Sequence, residues 1–319
     1  MPRSPYLSAA LAHGPVIMDG AMGTELNRLG HGIGAAEWVA STLDLAPHVA
    51  ALHRAYAHAG AQLHIANTFA TGRHVLAALG QEARFEAVNR AAVDICRTAV
   101  GDGWIAGSIS TYVIGSDRAN LPRGSALASN VGDQAALLAD AGCDMIALEM
   151  LFDVETTIDM ITAAATAALP VSVGLTVESA PDGITLRGEF AGRTGSGLML
   201  ETALPQITAA MPPDAILTIM HAQFPDTDAA LPVVRRHWDG PVGVYPNSGR
   251  FRPPNLWEND AASTPEDFAT RALAWRDAAF VGGCCGIGPD HIQAFASALT
   301  GKRKAANASD CKATSAGDP

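Results

Sequence analysis

Two adjacent cysteines, Cys284 and Cys285, stand in the run FVGGCCGIG at 280–288, with Gly282, Gly283, Gly286 and Gly288 around them. Glycines on both sides let the backbone turn tightly enough for two neighbouring thiolates to face one ion. Pro289 and Asp290 follow, with Pro289 suited to the first position of a helix. The positive end of that helix favours ionised sulfur. Soft thiolates select zinc, and a catalytic zinc keeps three protein ligands and one open position. The alternative is a pair of buried structural cysteines, a common use of this small apolar side chain.

A third ligand would come from elsewhere in the chain, brought in by the fold and not by a short linear motif, since His221 and Cys284 lie too far apart in sequence for a zinc-finger spacing. His221 ends the apolar run AILTIMHA (215–222) and is the candidate, against the plainer role of a satisfied polar residue. Glu149 closes DMIALEM (144–150). A carboxylate ending so apolar a run needs a cation, either a substrate ammonium or an internal Arg or Lys. Asp19 ends VIMDG (16–20) and either binds a ligand or caps the GAMGTE turn that follows. Asn67 and Asn247 either touch substrate or tie down loops. Cys96 and Cys143 read as core residues, and His48, His53 and His58 as ordinary residues of one helix.

These residues share one property: each ends a short apolar run. Eight such runs recur, at 16–20, 62–69, 104–110, 144–150, 170–177, 215–222, 241–249 and 278–286. Stretches of helical length and period follow most of them, at 48–60, 73–100, 133–142, 154–168, 226–238, 266–278 and 290–300. Strand–helix alternation implies a parallel sheet. Eight units predict a closed (β/α)8 barrel forming one domain over 1–300, with an open doubly wound sheet as the competitor. The barrel is preferred because barrel sites sit at the C-terminal strand ends, where these polar residues fall. The small, polar text from Gly301 to Pro319 predicts a disordered tail, with Cys311 inert in it.

Bulk properties narrow the function classes. Of the 319 residues 48% are hydrophobic, enough for a sizeable core, and the net charge of −11 argues against nucleic acid or an anionic membrane as partner. No apolar stretch reaches the roughly 18 residues of a membrane span. The N-terminal text lacks a signal-peptide pattern, and five cysteines do not make a disulfide framework. A soluble, reduced, cytoplasmic protein is expected; the sequence leaves homo-oligomerisation open.

The segments MDGAMGTEL (18–26), ANTF (66–69), ALEM (147–150), YPNSG (245–249) and GGCCG (282–286) resemble, in this order, the zinc-dependent homocysteine S-methyltransferases. That resemblance implies a (β/α)8 barrel whose Zn2+ binds the homocysteine thiol for methyl transfer. It makes Cys284 and Cys285 zinc ligands. Glu149 and the turn Asp19-Gly20-Ala21-Met22 hold the amino-acid end of the thiol, Asn67 joins the substrate-binding residues, and Asn247 lies near the metal. The family's third zinc cysteine stands in a Gly-Val-Asn-Cys pattern. Here the matching text is Thr218-Ile219-Met220-His221, so the expected set is Cys2His. The text GSISTYVIGS after the third run also departs from the family. The implied reaction transfers a methyl group from a freely diffusing onium donor, a sulfonium or betaine, to a thiol. A different acceptor, or a non-catalytic barrel, is the competing expectation.

Overall fold

The computed structural model describes residues 4–12, 14–31, 43–114, 121–187, 197–252, 256–260 and 263–314. Eight parallel strands form one sheet: β1 (Val16–Ile17), β2 (Leu63–Ala66), β3 (Trp104–Ser110), β4 (Met145–Leu151), β5 (Val171–Leu175), β8 (Ile216–Gln223), β9 (Val242–Asn247) and β12 (Phe280–Val281). Their order is β1-β12-β9-β8-β5-β4-β3-β2. The ends meet through a parallel bridge between Met18 and Leu63, with Asp19 N–H donating to the Leu63 carbonyl at 2.9 Å. The sheet is thus a (β/α)8 barrel, and all eight apolar runs supply its strands.

The strands are apolar along their whole length because both faces are buried. Val16, Met18, Leu63, Met145, Ile216 and Phe280 fill the barrel interior. Ile17, Ile105, Ile146, Leu148, Val173 and Leu217 face the helices instead. The outer ring contains α3 (Ala46–His58), α5 (Phe85–Val100), α6 (Gly124–Asp140), α7 (Val154–Ala164), α8 (Leu200–Ala210), α9 (Phe224–His237), α10 (Pro265–Ala272) and α11 (Pro289–Thr314). Local signals mark several of their starts. Asp153 accepts from Thr156 N–H ahead of α7, and Thr264 and Asp267 make a reciprocal capping box ahead of α10, with Pro265 in the first turn.

The structure adds elements that the sequence pattern missed. These are α1 (Ser4–Ala12), α2 (Gly23–Arg28), the outer-ring helix α8, the hairpin β6 (Val177–Ala180)–β7 (Gly183–Leu186), and the hairpin β10 (Arg250–Arg252)–β11 (Leu256–Glu258). The helix expected over 73–100 is two helices, α4 (Arg73–Ala78) and α5, parted around Gly80, whose φ of 66° ends the first. The final helix continues to Thr314 through the stretch read as a disordered tail, since its alanines and lysines are good helix formers. Residues 315–319, the end of that expected tail, lie outside the described residues. Among the described residues no helix is long and apolar enough to cross a membrane.

Candidate metal centre and pocket

Three pairs of consecutive residues face the C-terminal mouth of the barrel, and each pair needs a break in strand regularity. A regular strand points neighbours to opposite sides; a bulge lets both point the same way. The β4–β5 register shifts between Leu148 and Leu151, and Met150 has φ 60°. Glu149 and Met150 both line the cavity as a result. The β8–β9 register shifts between Met220 and Gln223, and His221 has φ 49°, so Met220 and His221 both line it too. Left-handed backbone at a non-glycine residue costs about 1–3 kcal/mol, and such strain collects at functional sites. Arg187 donates to the carbonyl of His221 at 3.1 Å, holding the strained peptide.

Cys284 and Cys285 form the third pair, beyond β12. Glycine is required around them. A Cβ on Gly283 would lie 2.1 Å from Ile287, and one on Gly286 would lie 1.9 Å from the Ser248 carbonyl, at a φ of 80°. Backbone bonds fix the loop: Cys284 N–H donates to Pro246 at 2.8 Å, and Ser248 N–H donates to Cys285 at 2.9 Å. Gly286 N–H donates to Thr24 Oγ1 at 2.9 Å.

His221 Nδ1 lies 3.5 Å from Cys284 Sγ and 3.8 Å from Cys285 Sγ, and the two sulfurs are 3.9 Å apart. Tetrahedral zinc with ordinary bond lengths would hold sulfur pairs about 3.8 Å apart and sulfur–nitrogen pairs about 3.6 Å apart. The three side chains fit a zinc ion with almost no movement. Asn247 Nδ2 lies 3.1 Å from the same Nδ1, directing its donor at the lone pair a metal would take. The Cys285 thiol, then burial, hold the Cys284 thiol well above its ordinary pKa, with His221 pulling the other way. A bound cation would reverse that balance.

The cavity around this cluster measures about 170 Å3. Asp19, Gly20, Ala21, Met22, Asn67, Glu149, His221, Cys284 and Cys285 all line it, so the residues singled out in the sequence meet here. Asn247 stands behind them against His221. Ile65, Phe69, Met150, Met220 and Tyr112 supply apolar wall. Thr176 Oγ1 reaches both thioethers, at 3.3 Å from Met220 Sδ and 3.9 Å from Met150 Sδ. Among the described residues no lysine or arginine lines it.

Two carboxylates therefore face the cavity with no cation beside them among the described residues. Glu149 accepts from Ser108 Oγ and from Tyr245 Oη at 3.0 Å, and among the described residues no internal Arg or Lys pairs with it. Burial raises its pKa, and those two hydrogen bonds pull it back. Asp19 Oδ2 accepts from Ile65 N–H at 3.1 Å, so it binds the neighbouring strand rather than capping its own turn. Burial lifts Asp19 well above the carboxylate range; the Ile65 amide opposes this and Glu149 adds to it. A cationic ligand group set between them would relieve both.

Tyr56 was not legible as a site residue, yet it ties the cavity together. Its hydroxyl meets the Ala21 carbonyl at 2.7 Å and the Ile287 carbonyl at 3.1 Å, joining the opening turn to the cysteine loop. A Cβ on Gly20 would lie 2.2 Å from that Ile287 carbonyl, so the turn accepts only glycine there. Tyr56→Phe should cost about 1–2 kcal/mol of stability through the buried Ala21 carbonyl left unpaired. Thermal unfolding beside zinc titration checks this: the melting temperature falls and zinc binds more weakly.

The fold and the gathering of polar groups at the strand C-termini define an α/β-barrel enzyme. Within that class the chain belongs to the homocysteine S-methyltransferase family, which it matches over residues 16–299. It is 26% identical to homocysteine S-methyltransferase 3 of Arabidopsis thaliana, covering 92% of each chain. It is 25% identical to homocysteine S-methyltransferase YbgG of Bacillus subtilis, over 88% of this chain and 93% of that one. The metallated homocysteine methyltransferase MmuM of Escherichia coli has a similar fold, with TM-score 0.68 and 23% identity, over 91% of this chain and 99% of that one.

Proposed function

We propose that this protein moves a methyl group from a small onium donor to the thiol of homocysteine, giving methionine, with Zn2+ held by His221, Cys284 and Cys285. The observation that carries this reading is the spacing of one nitrogen and two sulfurs at zinc-ligand distances in the mouth of a barrel of this family. Zinc bound there would lower the acceptor thiol's pKa, ordinarily about 8.5, and hold its sulfur in place.

The chain's own residues do the rest. Asp19 and Glu149 take the acceptor's ammonium group, which supplies the cation both lack. Ser108 and Tyr245 hold the Glu149 carboxylate in one orientation. The acceptor sulfur forms its bond to the methyl carbon as the donor's carbon–sulfur or carbon–nitrogen bond breaks. The bonding pair leaves with the donor heteroatom, which departs neutral. A cation and a thiolate thus become two neutral molecules, and the apolar wall of Phe69, Met150 and Met220 excludes water that would stabilise the separated charges. Acceptor binding should tighten as pH rises through the elevated pKa values of Asp19 and Glu149, because only their ionised forms attract the ammonium.

Incubation of the purified chain with homocysteine and a panel of sulfonium and trimethylammonium donors tests the reading. Methionine should form from at least one donor. Replacing homocysteine by 4-mercaptobutyrate, the same thiol without its amino group, should raise KM by about 10–100-fold, the worth of a charge-assisted hydrogen bond. Methylation of other thiols in preference to homocysteine would displace the acceptor assignment.

A further inference from the structure

We propose that Asp19, His53 and His64 form a second metal-ion site behind the wall of the thiol pocket, made of two imidazoles and one carboxylate and suited to zinc or a similar divalent first-row ion. It shares no residue with the Cys284–Cys285–His221 cluster. One carboxylate oxygen and one nitrogen from each ring lie within 4.8 Å of one another. Asp19 Oδ2 and His64 Nδ1 are 3.7 Å apart. Ligands 2.0–2.2 Å from a tetrahedral ion stand about 3.3 Å apart, so that pair is nearly in place and His53 has a short distance to close.

All three side chains are buried, with exposures of 2% for Asp19 and 0% for both histidines. They stand where the fold otherwise puts aliphatic residues. His64 alternates with Leu63 and Ile65, so it points away from the barrel interior toward the helices, and His53 is on the buried face of α3. Among the described residues, Asp19 Oδ1, His53 Nε2 and both nitrogens of His64 make no hydrogen bond of ordinary geometry. Buried polar atoms in a folded core almost always have partners, and a cluster of imidazole nitrogens without ordinary ones points to an absent ligand. His53 Nδ1 lies 3.7 Å from Cys96 Sγ, a contact that fixes the ring and leaves Nε2 for the ion. Among the described residues no lysine or arginine pairs with the Asp19 carboxylate. Asp19 also lines the pocket, which is the route by which an ion reaches the site.

The two sites differ in sulfur, and cobalt reads that difference. Co2+ titrated into the metal-free full chain under reducing conditions should bind at two ions per chain. One ion shows the near-ultraviolet sulfur-to-cobalt charge-transfer band; the other shows only weaker visible bands. His64→Leu and His53→Leu should each reduce the count to one ion and keep the charge-transfer band, which also reports an intact barrel mouth. The double variant Cys284→Ser/Cys285→Ser should lose that band and keep the second ion, testing the histidine site with its residues untouched. A single cobalt per parent chain that carries the charge-transfer band, as expected if water or hydrogen bonds fill the cluster, would overturn the proposal. So would a second ion that persists in both histidine variants. Loss of the charge-transfer ion from the parent, with the other retained, would instead count against the Cys2His site alone.

Discussion

Cys284→Ser should reduce methyl transfer to homocysteine by about a thousandfold or more in kcat/KM, a loss of roughly 4 kcal/mol of transition-state stabilisation, while the barrel stays folded. The hydroxyl of serine does not ionise near neutrality and is a poor zinc ligand, so the metal loses one of its two thiolates. The fold tolerates the change because Cys284 is held through its backbone, by the Pro246 carbonyl and by Ile287 N–H donating to its own carbonyl at 3.1 Å. Metal analysis should show a large fall in zinc per chain, and far-ultraviolet circular dichroism should match the parent. A variant that still methylates homocysteine at the parent rate would remove the zinc–thiolate mechanism.

His221→Ala should lose zinc and activity to a similar extent, whereas His221→Cys should keep the metal. The two variants separate the need for a third ligand from the need for an imidazole. In the alanine variant the cavity keeps two thiols and, among the described residues, no third histidine, cysteine or carboxylate grouped with them, and Asn247 loses the partner 3.1 Å away. In the cysteine variant a third thiolate adds one negative charge. That makes the zinc a weaker Lewis acid, so the bound acceptor thiol should have a higher pKa and a more nucleophilic sulfur. The pH profile of kcat/KM reads this directly: its acidic limb should move to higher pH in His221→Cys. Full zinc and full activity in His221→Ala would place His221 outside the metal's ligands.

The barrel was legible in the sequence because parallel strands buried on both faces must be continuously apolar, and eight such runs stand out from a polar, alanine-rich background. The missed elements have local reasons. Helix α8 carries Pro205 inside it, which reads as a breaker although the helix continues around it. Helices α1 and α2 are short, and the strands of the two added hairpins span three or four residues each, too few to show a period.

Residue type and position at strand ends identified most of the pocket: the paired cysteines, His221, Glu149 and the Asp19 turn were all readable before any coordinates. What the chain order could not reveal is which way each side chain points. The bulges after Leu148 and Met220 turn Glu149 and His221 into the mouth, and they exist only because neighbouring strands fix the register on either side. Ser108 and Tyr245 became partners of Glu149 through sheet pairing and barrel closure, at 41 and 96 residues' separation. His53 looked like an ordinary residue of a helix, and only the tertiary fold put it beside His64 and Asp19. Composition and pattern depend on what each residue is, whereas a ligand set depends on distances between atoms far apart in the chain. Those distances are set by the closure of the barrel.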